Sequence, residues 1–91
     1  MATKELVLEK IGVETTTEDG LKIVLHNDPV NTFTWVTECL VDICEHTSDQ
    51  AEQCAWIVHT KGRYGVKSGS FDDLQPRCEA LGERGLTVTI E

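Results

Sequence analysis

The sequence predicts an α+β domain in which three helices pack on one face of a small antiparallel sheet of three strands. Two observations support this fold class. Apolar, β-branched or strictly alternating stretches stand at residues 21–25 and 86–91, as in strands. Between them, three stretches repeat apolar residues at helical spacing and are separated by turn residues. The predicted order of elements is β-α-α-β-α-β.

The predicted strands differ in strength. Residues 21–25 form the first strand, and residues 26–29 (His-Asn-Asp-Pro) end it with side chains that favour turns. Residues 86–91 alternate apolar and polar side chains, which predicts a half-buried last strand. Residues 64–67 predict only a small strand or a turn, and residues 68–70 predict a loop.

The first two helices carry recognisable caps. Asn31 or Thr32 caps a helix that runs to about Glu45, because residues 36, 39, 40 and 43 share one helical face. Thr47 and Gln50 form a capping box that starts the second helix, and Gly62 suits a left-handed stop.

The third helix contains a proline. With Asp73 as its cap, Pro76 is predicted at the third helical position, where the missing N–H has no partner to lose. Gly82 or Gly85 is predicted to end this helix.

Composition and charge limit the function classes. The 91 residues fit one domain with little room for a deep cavity, so a ligand site should be shallow. Eight basic and 16 acidic residues give a net charge of −8, which disfavours nucleic acid as a partner. The apolar runs are too short for a membrane span, and the start lacks a signal pattern. We therefore expect a cytoplasmic protein that has no membrane contact and is monomeric.

Domain organisation and cofactors follow from simple patterns. Residues 1–20 are expected to be a flexible arm, with a loosely held strand at most, before a domain of residues 21–91. The four cysteines form no C-x-x-C pair and are interpreted as buried free thiols. No two of the three histidines stand four residues apart, so neither a metal site nor another cofactor is expected.

A cluster of hydrogen-bond acceptors is the strongest chemical signal. Asn27 and Asp28 follow the first strand, and His59 stands near the end of the second helix. An amide oxygen, a carboxylate and a neutral imidazole around one point would hold an ammonium group, such as a free α-amino group. Nearby apolar side chains would form a hollow beside it, namely Leu25, Val36, Ala55, Val58 and Leu86.

The same residues have simpler interpretations. Asn27 and Asp28 are ordinary turn formers, and His59 is favoured near a helix C-terminus by the helix dipole. His26 and His46 are interpreted as surface residues, and the apolar set as core. An enzyme would use His59 as a base oriented by Asp28, but no motif places a serine or cysteine nucleophile beside them.

The sequence resembles the ClpS adaptor family. Residues 22–28 (KIVLHND) are similar to the family's first strand and signature turn, and residues 58–62 (VHTKG) resemble its valine-histidine-x-x-glycine helix end. Residues 33–36 (FTWV) look like the family's helix start, and residues 86–91 are similar to its last strand.

The resemblance implies an adaptor that binds proteins by a destabilising N-terminal residue and hands them to a Clp AAA+ ATPase, ClpA or ClpC, for degradation by ClpP. It implies no catalytic activity. It also implies that Asn27, Asp28 and His59 hold the α-amino group of the substrate. The substrate's side chain would then enter a pocket lined by Leu25, Asn31, Phe33, Val36, Ala55, Val58 and Leu86.

Departures from the family pattern affect this pocket. Asn31 stands where the family usually has threonine, and Phe33 and Ala55 replace two methionines. Residues 63–85 match least and are shorter than in typical members. An alternative of another class is a protein-interaction domain that resembles the C-terminal domain of the ribosomal stalk protein, has the same element order and does not bind N-degrons.

Overall fold

The computed structural model describes residues 20–91, and the described chain has the expected order of elements. The α+β fold class predicted from the sequence is confirmed. The arm predicted for residues 1–20, with its possible strand, lies almost entirely outside the described residues. The elements in chain order are β1 (Leu21–His26), α1 (Phe33–Cys44), α2 (Ser48–Lys61), β2 (Arg63–Gly69), α3 (Phe71–Glu83) and β3 (Thr87–Ile90).

Strand β1 is the centre of the sheet. It pairs antiparallel with β2 on one side and with β3 on the other, so that Leu25 stands opposite Tyr64 and Val88. The register with β2 shifts by one residue between Ile23 and Val24. This bulge leaves Val66 of β2 without an opposite residue, and its side chain is buried in the core.

The core lies between the sheet and the three helices. Ile23 and Leu25 of β1 are almost fully buried, because alternate residues of a strand face the same side. Each helix contributes the apolar face that its residue spacing predicts. The buried helix residues are Cys39, Leu40 and Cys44 of α1, Ala51, Ala55 and Val58 of α2, and Leu74 and Leu81 of α3.

The caps of the first two helices are as predicted. The Thr32 hydroxyl accepts a hydrogen bond from the Trp35 amide and so caps α1. Both bonds of the capping box between Thr47 and Gln50 are present at the start of α2. Gly62 ends α2 with φ 95°, a left-handed conformation that glycine adopts without a steric penalty.

Strand β2 is longer than its sequence indicates. It spans Arg63–Gly69, so the prediction of a small strand or turn at residues 64–67 with a loop at 68–70 was wrong. Two glycines and several polar residues give this stretch weak strand character of its own. The ladder with β1 supplies what local preference lacks, so tertiary pairing decides the length of this edge strand.

Helix α3 begins earlier than predicted. Ser70, and not Asp73, is its N-cap, and the Ser70 hydroxyl accepts from the Asp73 amide. Pro76 therefore lies at the sixth helical position, where a residue with an N–H would donate to the Asp72 carbonyl. The helix ends at Glu83, and Gly85 follows with φ 91°, as one of the two predicted stop glycines.

His46 is not a surface residue, contrary to the expectation. It is half-buried in the α1–α2 connection, and its Nε2 forms a 2.7 Å hydrogen bond with the Val66 carbonyl of β2. Its Nδ1 is buried without a hydrogen-bond partner among residues 20–91. The imidazole thus fastens the turn between the first two helices to the edge strand, a contact between residues 20 positions apart.

The cysteines are free thiols, as expected, but only two of them are buried. Cys39 and Cys44 are in the core, whereas Cys54 and Cys78 are half-buried. Burial raises the pKa of all four, in Cys44 to about 11, so the thiols stay protonated and unreactive at neutral pH. Within residues 20–91, none of the helices has the length and apolar character needed to cross a membrane.

The position of Pro76 gives a prediction about stability. We expect Pro76→Ala to increase the free energy of unfolding by about 1–3 kcal/mol, because alanine restores the N–H and relieves the clash with the carbonyl four residues earlier. Urea unfolding followed by circular dichroism measures the change. Gln75→Ala, at the exposed neighbouring position, should stay within about 0.5 kcal/mol of the unchanged protein. A Pro76→Ala protein no more stable than the control would contradict the prediction.

Candidate functional site

The turn after β1 is joined to the end of α2. The Asn27 amide donates a 2.8 Å hydrogen bond to the carbonyl of Gly62, the residue that caps α2. His59 is in the last turn of the same helix. One backbone hydrogen bond therefore holds the strand exit and the helix end together, although residues 27 and 62 are far apart in the sequence.

The Asp28 carboxylate is fixed by two hydrogen bonds. Its Oδ1 accepts from the Val30 amide at 2.9 Å, and its Oδ2 accepts from the Thr87 hydroxyl at 3.1 Å. The first bond shapes the turn and the second attaches it to β3. Each carboxylate oxygen can accept more than one hydrogen bond, so this half-buried group retains acceptor capacity. Asp28 thus combines a turn-forming role with an available charge.

The beginning of α1 is attached to the turn between α3 and β3. Asn31 Nδ2 donates to the Gly85 carbonyl at 2.9 Å, and Trp35 Nε1 donates to the Arg84 carbonyl at 3.0 Å. These bonds fix Phe33, which lies between their donors, at the edge of the site. The Asn31 side chain therefore has a structural role, because it attaches the beginning of α1 to the turn between α3 and β3.

A hollow of about 630 Å³ opens at this end of the molecule. Its interior wall is apolar and buried, whereas Phe33 and Trp56 are exposed at its edge, by 45% and 60%. All ten residues named from the sequence line it, so the structure brings the whole predicted set to one place. They are Leu25, Asn27, Asp28, Asn31, Phe33, Val36, Ala55, Val58, His59 and Leu86.

Three further lining residues were not in the predicted set: His26, Pro29 and Trp56. His26 is half-buried and not on the open surface as expected, because its Nε2 bonds the Thr89 hydroxyl at 2.9 Å. Trp56 lies next to His59, with ring centroids 5.9 Å apart and planes inclined by 38°. Its position three residues before His59 is a helical signal that could have found it.

The polar end of the hollow has unused acceptors. Among the described residues that line the hollow, Asp28 is the one carboxylate, and none is a lysine or an arginine. Asn27 and His59 are exposed, and within residues 20–91 no hydrogen bond involves the side-chain carboxamide of Asn27 or the imidazole of His59. An amide oxygen, a carboxylate and an imidazole beside an apolar wall suit a ligand that combines a cation with an apolar group.

Other chemistries find less support in the described residues. In the part of the chain that the structure describes, no serine or cysteine lines the hollow, so His59 and Asp28 have no adjacent nucleophile there of the kind that covalent catalysis uses. Within residues 20–91, no group of three or more potential ligands is placed to hold a metal ion.

Comparison with known proteins identifies the family. The model of the family described as ATP-dependent Clp protease adaptor protein ClpS matches residues 16–89. The chain belongs to the ClpS family. This match favours the ClpS resemblance over the one to the ribosomal stalk domain.

Individual relatives agree with this membership. An ATP-dependent Clp protease adapter protein ClpS of Streptomyces coelicolor is 34% identical over 75% of this chain and 71% of its own length. The chloroplastic adapter CLPS1 of Chlamydomonas reinhardtii is 37% identical over 77% of this chain and 44% of its own length.

A solved structure has the same fold as this ClpS family member. Agrobacterium tumefaciens ClpS2 bound to L-phenylalaninamide superposes with a TM-score of 0.71 at 25% identity, over 78% of this chain and 93% of that one. With an identity this low, the chain is a divergent member of the family.

The two bonds of Asp28 predict how the turn responds to substitution. We expect Asp28→Ala to reduce the free energy of unfolding by about 1–2 kcal/mol, since the Val30 amide and the Thr87 hydroxyl lose their acceptor. Asp28→Asn keeps one acceptor oxygen and should retain most of the stability. Denaturant unfolding of both variants measures the difference. Equal stability of the alanine variant and the unchanged protein would contradict a structural role for this carboxylate.

Proposed function

We propose that this chain is an adaptor that binds proteins by a destabilising hydrophobic N-terminal residue and delivers them to a Clp AAA+ ATPase, ClpA or ClpC, for proteolysis. It acts as a monomer, without a cofactor and without catalysis of its own. Residues 21–91 form the adaptor domain, and residues 1–20 are an N-terminal arm that engages the ATPase. The observation that carries the proposal is the set of acceptors at one end of an apolar hollow.

The amine-binding part rests on charge and hydrogen-bond complementarity. An α-ammonium group has one positive charge and three N–H donors, and Asn27, Asp28 and His59 offer a matching number of acceptors. Asp28 supplies the opposite charge, and the other two side chains are free within residues 20–91 to accept. An internal residue of a polypeptide has a neutral amide with a single donor, so this end of the hollow selects amino termini.

The side-chain pocket rests on the apolar wall. Leu25, Val58 and Leu86 are each at most 5% exposed and form a surface that a hydrophobic side chain can cover. Ala55 leaves space on the α2 side, whereas Phe33 of α1 sets a rigid ring at the edge. Agrobacterium ClpS2 bound to L-phenylalaninamide offers a parallel, because that ligand combines an α-amino group with an aromatic side chain.

The amine is the feature to test first. A peptide that begins with Phe or Leu should bind with a dissociation constant in the micromolar range, about −8 kcal/mol at 1 μM. The N-acetylated peptide should not bind, because acetylation removes the charge and two donors. Fluorescence anisotropy of labelled peptides measures both, and equal affinity for the two peptides would refute the proposal.

Single substitutions test which side chains bind the α-amino group of the peptide. Asn27→Ala, Asp28→Asn and His59→Ala should each weaken binding of the free-amine peptide at least about tenfold, as expected for loss of a hydrogen bond to a charged group. Gln53→Ala, an exposed position on the same helix as His59, is the matched control and should bind normally. Normal binding by His59→Ala would exclude this residue from the amine site.

Delivery needs a separate test. The full chain should accelerate degradation of a fluorescent reporter that begins with Phe by a Clp ATPase with ClpP, and have no effect on a reporter that begins with Gly. A variant without residues 1–20 should bind the peptide with unchanged affinity and fail to deliver the reporter. Parallel reactions with ClpA and ClpC distinguish the two ATPases. Peptide binding without accelerated degradation by either would confine the function to binding.

A further inference from the structure

Trp56 is the most exposed aromatic residue at the edge of the hollow. Its side chain is on α2, lines the hollow and is 60% exposed, and its ring is tilted by 38° against the ring of His59. A large exposed apolar side chain is unremarkable when it stands alone on a surface. Here it borders a binding hollow, next to the residue to which the proposed function assigns one contact with the α-amino group.

The geometry of a polypeptide relates Trp56 to the second residue of a bound substrate. The α-amino group and the carbonyl carbon of the first residue are attached to the same Cα, so the chain leaves the site close to His59. Consecutive Cα atoms are about 3.8 Å apart. The indole centroid of Trp56 is 5.9 Å from that of His59. The side chain of the second residue is therefore within reach of the indole.

On this basis, and resting on the proposed function, we infer that Trp56 is a specificity-determining residue that contacts the side chain of the second substrate residue. Its indole selects flat or apolar side chains at that position. The pocket for the first residue and this outer contact are adjacent, because Ala55 and Val58 line the hollow on the same helix.

The chemistry of the indole sets the preference. Its face can stack against an aromatic ring or pack against a branched aliphatic side chain, and both interactions remove apolar surface from water. Glycine at the second position leaves the indole as exposed as it is without ligand. We expect peptides with Trp or Leu at the second position to bind about three- to tenfold more tightly than the matched glycine peptide.

The test is a matrix of peptides with Phe or Leu at the first position and Gly, Leu or Trp at the second, joined to one common tail. Dissociation constants are measured for the unchanged full chain and for Trp56→Ala. The variant should bind all second residues with equal affinity, while its ratio of affinities for Phe and Leu at the first position stays unchanged. Trp56→Phe should retain part of the second-position preference.

Phe71→Ala is the matched control, because Phe71 is an exposed aromatic residue at the start of α3 and does not line the hollow. It should preserve both preferences. A second readout uses the indole N–H signals in NMR spectra. Trp56 should respond to the second residue, whereas the Trp35 indole, which is bonded to the Arg84 carbonyl, should respond little.

The outcomes separate the two claims. If no free-amine peptide binds the unchanged chain, the proposed function fails, and this inference with it. If the peptides bind but the unchanged chain has no second-position preference, or Trp56→Ala keeps that preference, the inference alone is overturned. A Trp56→Ala protein that alters only the first-position ratio also overturns it, because Trp56 would then be a wall of the inner pocket.

Discussion

The hydrogen bond from the Asn27 amide to the Gly62 carbonyl is the contact on which the site depends. It fixes the exit of the central strand against the end of α2, and so places Asn27 and His59 at the same end of the hollow. The left-handed conformation of Gly62 turns the chain directly from α2 into β2, which pairs with β1 from its first residue. The ladder between β1 and β2 and this single bond therefore support each other, and the position of the acceptors follows from the fold.

The proposed function requires the turn at residues 27–30 to be rigid and also able to bind a ligand. Asp28 reconciles these demands, because its bonds to the Val30 amide and the Thr87 hydroxyl hold the carboxylate in place without removing its charge. A carboxylate that is already oriented loses little side-chain freedom when it binds a cation, which favours affinity. Turn formation and ligand binding are thus compatible interpretations of one residue.

The hollow differs from what a small domain with a fully packed core would provide. Leu25, Ala55, Val58 and Leu86 are buried among their neighbours, yet each also faces the open space of about 630 Å³. The bonds from Asn31 and Trp35 to the α3–β3 turn keep the start of α1 attached to the far side of this space. The small side chain of Ala55 leaves space on the α2 side of the hollow.

The sequence by itself determined the fold class and the caps at Thr47 and Gly62, because helical spacing, strand alternation and capping chemistry are local properties. It allowed either Asn31 or Thr32 as the cap of α1. Ten of the thirteen residues that line the hollow were predicted, eight of them from residue type and spacing, and Asn31 and Phe33 from the family resemblance. Only the tertiary structure decided the length of β2, the start of α3 at Phe71, the half-buried state of His46 and the place of Trp56 beside His59. Each of these depends on partners distant in the chain or on a choice between two locally acceptable caps. Strand pairing with β1 extends β2 through a stretch of weak local preference. The Val66 carbonyl of β2 holds the imidazole of His46. The length of β2 and the burial of His46 therefore cannot be predicted from the neighbouring residues alone.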